Sequence, residues 1–202
     1  MKKHLIKNPQ KYNYLIILDF EANCNLAPGL PQEIIEFPCV VYDIYNDVID
    51  RIKDFSQWVK PQIPLTDFCT QLTTITQVQV DTGQPLDTIL KMHQLWMLEH
   101  NLMNNSLFVT CGDWDLQTAL PQHCKYLQIE YPGYFKQWTN IKKLYSDFYK
   151  TKSYGMKSML DKLNIPLAGT HHRGIDDCAN IAAIAQRMVL DGCKFNVTNR
   201  IK

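Results

Sequence analysis

An uninterrupted apolar run, Tyr14-Leu15-Ile16-Ile17-Leu18, passes directly into Asp19-Phe20-Glu21. A run of this length and character reads as a strand, which needs neighbours along its edges and cover on its faces. Asp19 and Glu21 stand two residues apart, and side chains at that spacing share one face of an extended chain. The acids mark where the strand leaves the core, and both are placed to hold the same ion.

Two further acidic segments occupy comparable junctions. Ser106 to Cys111 reads as a second buried strand, Gly112 breaks it, and Asp113-Trp114-Asp115 opens an amphipathic helix with Leu116, Ala119 and Leu120 on its apolar side. Asp113 is expected to cap that helix, leaving Asp115 for chemistry. The third segment is His171-His172-Arg173-Gly174-Ile175-Asp176-Asp177. His172 precedes Asp177 by five residues, about 140° around an ideal helix, so the two cannot share a helical face. A helix starting near Gly174 or Ile175 resolves the conflict. It leaves His172 in a loop and puts Asp177 in the first turn, where the helix dipole favours an ionised carboxylate. Ile175, Cys178, Ala179, Ala182, Ala185 and Val189 then form the buried stripe.

Each segment alone fits an ordinary acidic turn or a capped helix end. Together they supply four carboxylates and a histidine, the donor set of a two-metal nuclease site. Converging carboxylates repel one another and rise in pKa unless cations neutralise them. Hard oxygen donors select Mg²⁺ or Mn²⁺ over zinc. Two ions about 3.5–4 Å apart assist an in-line displacement at phosphorus, and a neutral imidazole, His172, is suited to accept the proton of the attacking water.

The segments FEANC, PQEIIEFP, LTTIT, VTCGDWDL, YFKQWTNIKKLY and GIDDCANIA resemble the DEDDh 3′→5′ exonucleases, and among them the Eri-type exoribonucleases, from about Tyr14 to Phe195. The resemblance implies an α/β, RNase H-like fold: a mixed five-stranded sheet whose first three strands form an antiparallel meander, flanked by helices. It implies that Asp19, Glu21, Asp115 and Asp177 hold two Mg²⁺, with Mn²⁺ able to substitute, and that His172 is the general base. It places Trp114 and Phe68 against the terminal base, Leu72 and Thr73 near the sugar, and the Phe20 backbone within reach of substrate. Arg173, beside the motif histidine, is a phosphate candidate. The implied substrate is a single-stranded RNA 3′ end, with structured RNA and a targeting protein as further partners. Two other readings stay open: a DNA exonuclease of the same fold, and a non-catalytic scaffold that binds RNA or protein. The chain departs from the family wording at Asn23, at Thr74 where glycine is usual, and at His171, expected to be a solvated neighbour of His172. Thr74 matters because a residue with a side chain resists positive φ.

The remaining chain fits one exonuclease domain over residues 1–202, with 1–13 a short extension and the core at about 14–195. Its 46% hydrophobic content suits a single sizeable core. Strands are expected over 33–44 and 48–59, a helix over 81–101 with His93 at the core edge, and a short strand over 193–198. Met1-Lys2-Lys3 and the following apolar run lack the cleavage site of a signal peptide, and nothing is long enough to span a membrane. Seven cysteines with no CxxC pair indicate reduced thiols in an intracellular protein of the cytoplasm or nucleus. The net charge of +1 hides seven lysines between Lys136 and Lys162, set against only Asp147 and Asp161. That segment either guides the substrate strand or is a solvated helical surface.

Overall fold

The computed structural model describes residues 9–201, so Met1-Lys2-Lys3 lies outside the described residues. Strands β1 (Tyr14–Leu18), β2 (Glu21–Ala22), β3 (Ile34–Asp43) and β4 (Val48–Trp58) are followed by helices α1 (Asp67–Thr73), α2 (Gln77–Asp81) and α3 (Leu86–Glu99). Strand β5 (Ser106–Thr110) leads into a π-helical turn (Asp115–Ala119) continuous with α4 (Leu120–Tyr126). Strand β6 (Gln137–Asn140), helices α5 (Ile141–Tyr149), α6 (Met156–Leu163) and α7 (Gly174–Asp191), and strand β7 (Asn199–Arg200) complete the chain.

All seven strands form one sheet in the order β2-β3-β1-β5-β6-β7, with β4 also pairing β3. β1 runs antiparallel to β3 and parallel to β5, and β5 runs parallel to β6. The expected five strands are β4, β3, β1, β5 and β6, with β1, β3 and β4 as the antiparallel meander. β2 and β7, of two residues each, are additions.

The apolar run at 14–18 is continuous because both faces of β1 are covered. Leu15 and Ile17 enter a core with Tyr145, Met159, Leu160, Ile181, Ala185 and Val189 from α5, α6 and α7. Ile16 and Leu18 enter the opposite core with Leu86, Ile89, Trp96 and Met97 from α3 and with Leu116 and Leu120. Full burial of each such side chain contributes roughly 1.5–3 kcal/mol. A smaller cluster of Ile35, Cys69, Ile75 and Val80 seats α1 and α2 against β3.

Three expectations need correction. The helix expected over 81–101 is α3 alone, because a Cβ at Gly83 would lie 2.4 Å from the Trp58 carbonyl oxygen and Pro85 sits at the α3 N-cap. Residues 193–198 are irregular, and the terminal strand is Asn199–Arg200 beside β6. His93 is not at the core edge: it is fully buried, ringed by Phe37, Phe55, Trp96 and Phe135, and bonded to the Tyr134 hydroxyl at 3.1 Å. No helix among the described residues is long and apolar enough to cross a membrane.

The parallel arrangement of β1 and β5 has a direct chemical consequence. Asp19 follows the carboxyl end of β1 and Asp115 follows that of β5, so both stand at that edge of the sheet, Asp19 in the lining of a crevice and Asp115 buried.

Candidate active site

Asp19, Glu21 and Asp177 each place a carboxylate oxygen within 4.8 Å of the others. Asp19 leaves β1, Glu21 opens β2, and Asp177 lies in the first turn of α7. Phe20 connects them to Asp115: its backbone N–H donates to Asp115 Oδ1 at 2.8 Å, while its ring packs edge-on against Phe37 at 4.5 Å. One residue thus anchors the loop in the core and fixes the buried Asp115 carboxylate, which lies outside the 4.8 Å group but close enough to repel Asp19.

Helix α7 is brought to the acids by two devices. An ideal Cβ on Gly174 would lie 2.7 Å from the Asp19 carbonyl oxygen and 2.8 Å from Pro38 Cγ, so only glycine lets the helix approach this closely. Glu36, buried on β3 opposite Glu21, accepts from the backbone N–H of Gly174 at 3.0 Å and of Ile175 at 3.3 Å, and so caps α7 from a strand.

His172 adopts a left-handed φ of 66°, and its backbone N–H donates to Asp177 Oδ2 at 2.8 Å. His171 is no solvated neighbour. Its Nδ1 sits 3.1 Å from both Asp177 oxygens, and its ring stacks on that of His172 at 3.9 Å. The two imidazoles and Asp177 form a second group with donor atoms within 4.8 Å.

Burial and mutual repulsion shape the electrostatics. Burial first, then Asp115, Glu21, Asp177 and Glu36, hold the Asp19 carboxyl well above its ordinary range. Glu21 is pushed up to about 9 by burial and then by Glu36, Asp177 and Asp115, with Arg173 opposing. Asp115 rises to about 6 through burial, against the Phe20 N–H. His172 is lowered by burial, by His171 and by Lys157, with Asp177 opposing, which keeps the imidazole neutral. Oxygen donors crowded against their own repulsion fit hard divalent cations, which would remove the strain they create.

The crevice has a volume of about 530 Å³, within the range of small-ligand sites. Asp19, Phe20, Glu21, Asp177, His171 and His172 line it together with Tyr154, Lys157 and Ser158. Phe68, Leu72 and Trp114 are half exposed, at 50%, 40% and 38%, and lie outside this lining. Phe68 and Leu72 share a face of α1.

Three residues do not sit as expected. Thr73 is buried, and its hydroxyl donates to the Cys69 carbonyl and accepts from Ile75 N–H, so it serves α1 rather than a sugar. Arg173 lies 3.7 Å from Glu36 with its guanidinium 5.1 Å over the Trp58 ring; its Nε makes no hydrogen bond, and the residue is outside the crevice lining. The Asp113 carboxylate accepts from Trp138 Nε1 at 3.2 Å and Lys143 Nζ at 2.9 Å, tying the strand end to β6 and α5 instead of capping a helix.

Sequence reasoning missed Glu36 and the wall at 154–158. The signal for Glu36 was present, since an acid inside the apolar stretch Ile34 to Val41 must have buried donors. Asn23 proves compatible with the fold: its Oδ1 accepts from Glu33 N–H at 2.7 Å and its Nδ2 donates to Glu33 Oε2 at 3.3 Å. Thr74 does take the left-handed conformation, with φ 61°.

Comparison with known proteins agrees with this geometry. The RNase T-type family described as exonuclease matches residues 16–185. The human protein ERI1 exoribonuclease 3 is 41% identical over 201 residues, covering 95% of this chain and 58% of that protein. The chain therefore spans a little over half the length of that relative. The nuclease domain of 3′hExo, a DEDDh family member solved with rAMP, superposes with a TM-score of 0.89 at 38% identity, covering 94% of this chain and 98% of that one. A 3′-exonuclease structure addressing 3′-end-specific recognition of the histone mRNA stem-loop gives 0.90 at 36% identity, with 96% and 69% covered.

Proposed function

Since the chain belongs to the exonuclease family, as the match over residues 16–185 establishes, we propose that it is a metal-dependent 3′→5′ exoribonuclease releasing nucleoside 5′-monophosphates from single-stranded RNA ends. The observation that carries this reading is the convergence of Asp19, Glu21 and Asp177 within 4.8 Å beside a histidine pair.

Asp19, Glu21, Asp115 and Asp177 would hold two Mg²⁺, with Mn²⁺ able to replace them. Bound ions supply charge neutralisation at phosphorus and at the leaving 3′ oxygen. The rest is done by the chain. His172 takes the proton of the attacking water, and its lowered pKa keeps it in the basic form at neutral pH. His171, stacked on His172 and bonded to Asp177, fixes the ring plane and the carboxylate together. The Phe20 N–H orients Asp115, and Glu36 with Gly174 sets the depth at which α7 delivers Asp177. Phe68, Leu72 and Trp114 expose enough apolar surface to grip a terminal base, for which stacking contributes roughly 1–3 kcal/mol.

Residues 14–195 act as one catalytic domain, which takes RNA 3′ ends, single-stranded or beside structure, alone or delivered by a protein partner. Seven free cysteines support a reducing compartment, cytoplasm or nucleus.

Incubating 5′-labelled RNA and matching DNA in Mg²⁺, Mn²⁺ or EDTA tests the reading. Expected is a metal-dependent ladder from the 3′ end of RNA, abolished by Asp19→Ala and slowed about 10²–10⁴-fold by His172→Ala. Faster loss of DNA would reassign the substrate, and no degradation in any metal would favour the scaffold.

A further inference from the structure

Part of the crevice lining is built by Tyr154, Gly155, Met156, Lys157 and Ser158, at the amino end of α6. Met156, Met159, Leu160 and Leu163 bury the inner face of α6 in the same core as α7, which carries Asp177. The outer face is open: Tyr154 is 71% exposed and Lys157 is exposed. The Tyr154 backbone N–H donates to Ser158 Oγ at 3.2 Å, which holds the aromatic residue at the rim. Lys152 Nζ lies 4.9 Å over the Tyr154 ring, adding a second cation beside that surface.

Lys157 is the sole lysine or arginine lining this crevice, and it forms no ion pair among the described residues. Lys143 is paired with Asp113 at 2.9 Å, and Arg173, 3.7 Å from Glu36, lies outside the crevice lining. A polyanion entering a cleft lined by carboxylates meets one lysine within the lining, positioned on a scaffold that shares its core with α7. Exposed aromatic surface stands three residues before it.

We propose that Lys157 and Tyr154 form a strand-binding wall, with Lys157 holding a backbone phosphate of the RNA and Tyr154 stacking a base adjacent to the terminal nucleotide. The assignment rests on the exonuclease reading and adds to it the residues that fix where the strand enters. The two contacts differ in physics. A lysine–phosphate contact releases counterions, so losing it lowers the salt dependence of binding by about 0.7 on a log–log plot for single strands. Stacking carries no such dependence.

The test measures ssRNA affinity by anisotropy in the slowed His172→Ala protein, held in EDTA to stop residual cleavage, across a salt series, alongside KM and kcat in the active one. Lys157→Ala should weaken binding about tenfold at low salt and reduce the salt slope by about 0.7, with the loss appearing in KM. Lys157→Arg should restore both. Tyr154→Ala should weaken binding about tenfold with the slope unchanged, and Tyr154→Phe should bind as the parent does. Lys136→Ala removes the same charge at the amino end of β6, away from the crevice, and should change neither quantity. Equal effects from Lys136→Ala and Lys157→Ala, or no effect from Lys157→Ala, would overturn the proposal. Failure of the parent enzyme to degrade RNA at all would instead remove the exonuclease reading, while the anisotropy series still decides whether this wall binds the strand.

Discussion

At the scale of single residues, position 174 controls the site without belonging to it. A methyl group there would press on the Asp19 carbonyl and on Pro38, both within 3 Å. Gly174→Ala should push α7 outward and lower both stability, by about 1–3 kcal/mol, and Mg²⁺ affinity; thermal melts and metal titration read the two losses. Normal metal affinity in the variant would show that the close approach is dispensable. The residues legible from sequence were those at element ends. Asp19, Glu21, Asp115 and Asp177 each sit where a strand or helix pattern stops, and position relative to that pattern is what periodicity reports. Glu36 was legible as a buried acid in need of donors, but its partners were not, because they come from pairing beside Glu21 and from a helix 138 positions away. His171 was misjudged for a related reason: spacing favours His172, yet a left-handed residue at 172 turns the neighbouring ring onto Asp177.

At the scale of elements, the ends of helices carry the instructive exceptions. Helix α1 ends on Thr74 at φ 61°, exposed and in a conformation that costs a side-chain-bearing residue about 1–2 kcal/mol. Glycine relieves that cost but loses more unfolded-state freedom, so Thr74→Gly should stabilise by about 0.5–1 kcal/mol in urea unfolding. A destabilised variant would mean that the threonine side chain has a role of its own. Helix α7 has no side-chain cap from its own Arg173, and the strand residue Glu36 fills that place. Glu36→Ala should cost about 1–2 kcal/mol through the lost cap, leave Arg173 without its counter-charge, and displace Asp177, so nuclease activity should fall further than stability alone explains. Strands and core helices were readable because burial on two faces gives apolar runs and burial on one gives helical spacing. The π turn at Asp115–Ala119 and the break before α3 were not. Both depend on neighbours distant in sequence, Phe20 in the first case and Trp58 in the second.

At the scale of the whole molecule, acid should loosen the fold through buried histidines. Burial holds His93 down to about 3 and His123 to about 4, against an ordinary value near 6.5. A depressed folded-state pKa gives stability that is fully present above 6.5 and lost as pH falls toward the folded value. Each histidine therefore contributes a slope of about 1.4 kcal/mol per pH unit below 6. Urea titrations of the Mg²⁺-bound protein at pH 6.5 and 5 should show a shallower dependence for His93→Gln than for the parent. Divalent ions should act in the opposite direction, relieving carboxylate repulsion and stabilising the fold by about 2.7 kcal/mol at a hundredfold excess over Kd, read as a raised melting temperature. Asp19→Ala should lose that response. The arrangement of the acids along the chain also has a consequence in time. Asp177 is made more than 150 residues after Asp19, on a helix that also closes one face of β1. A chain emerging from the ribosome carries half of these carboxylates long before the rest, so the four-carboxylate site is incomplete until α7 has been synthesised and has docked.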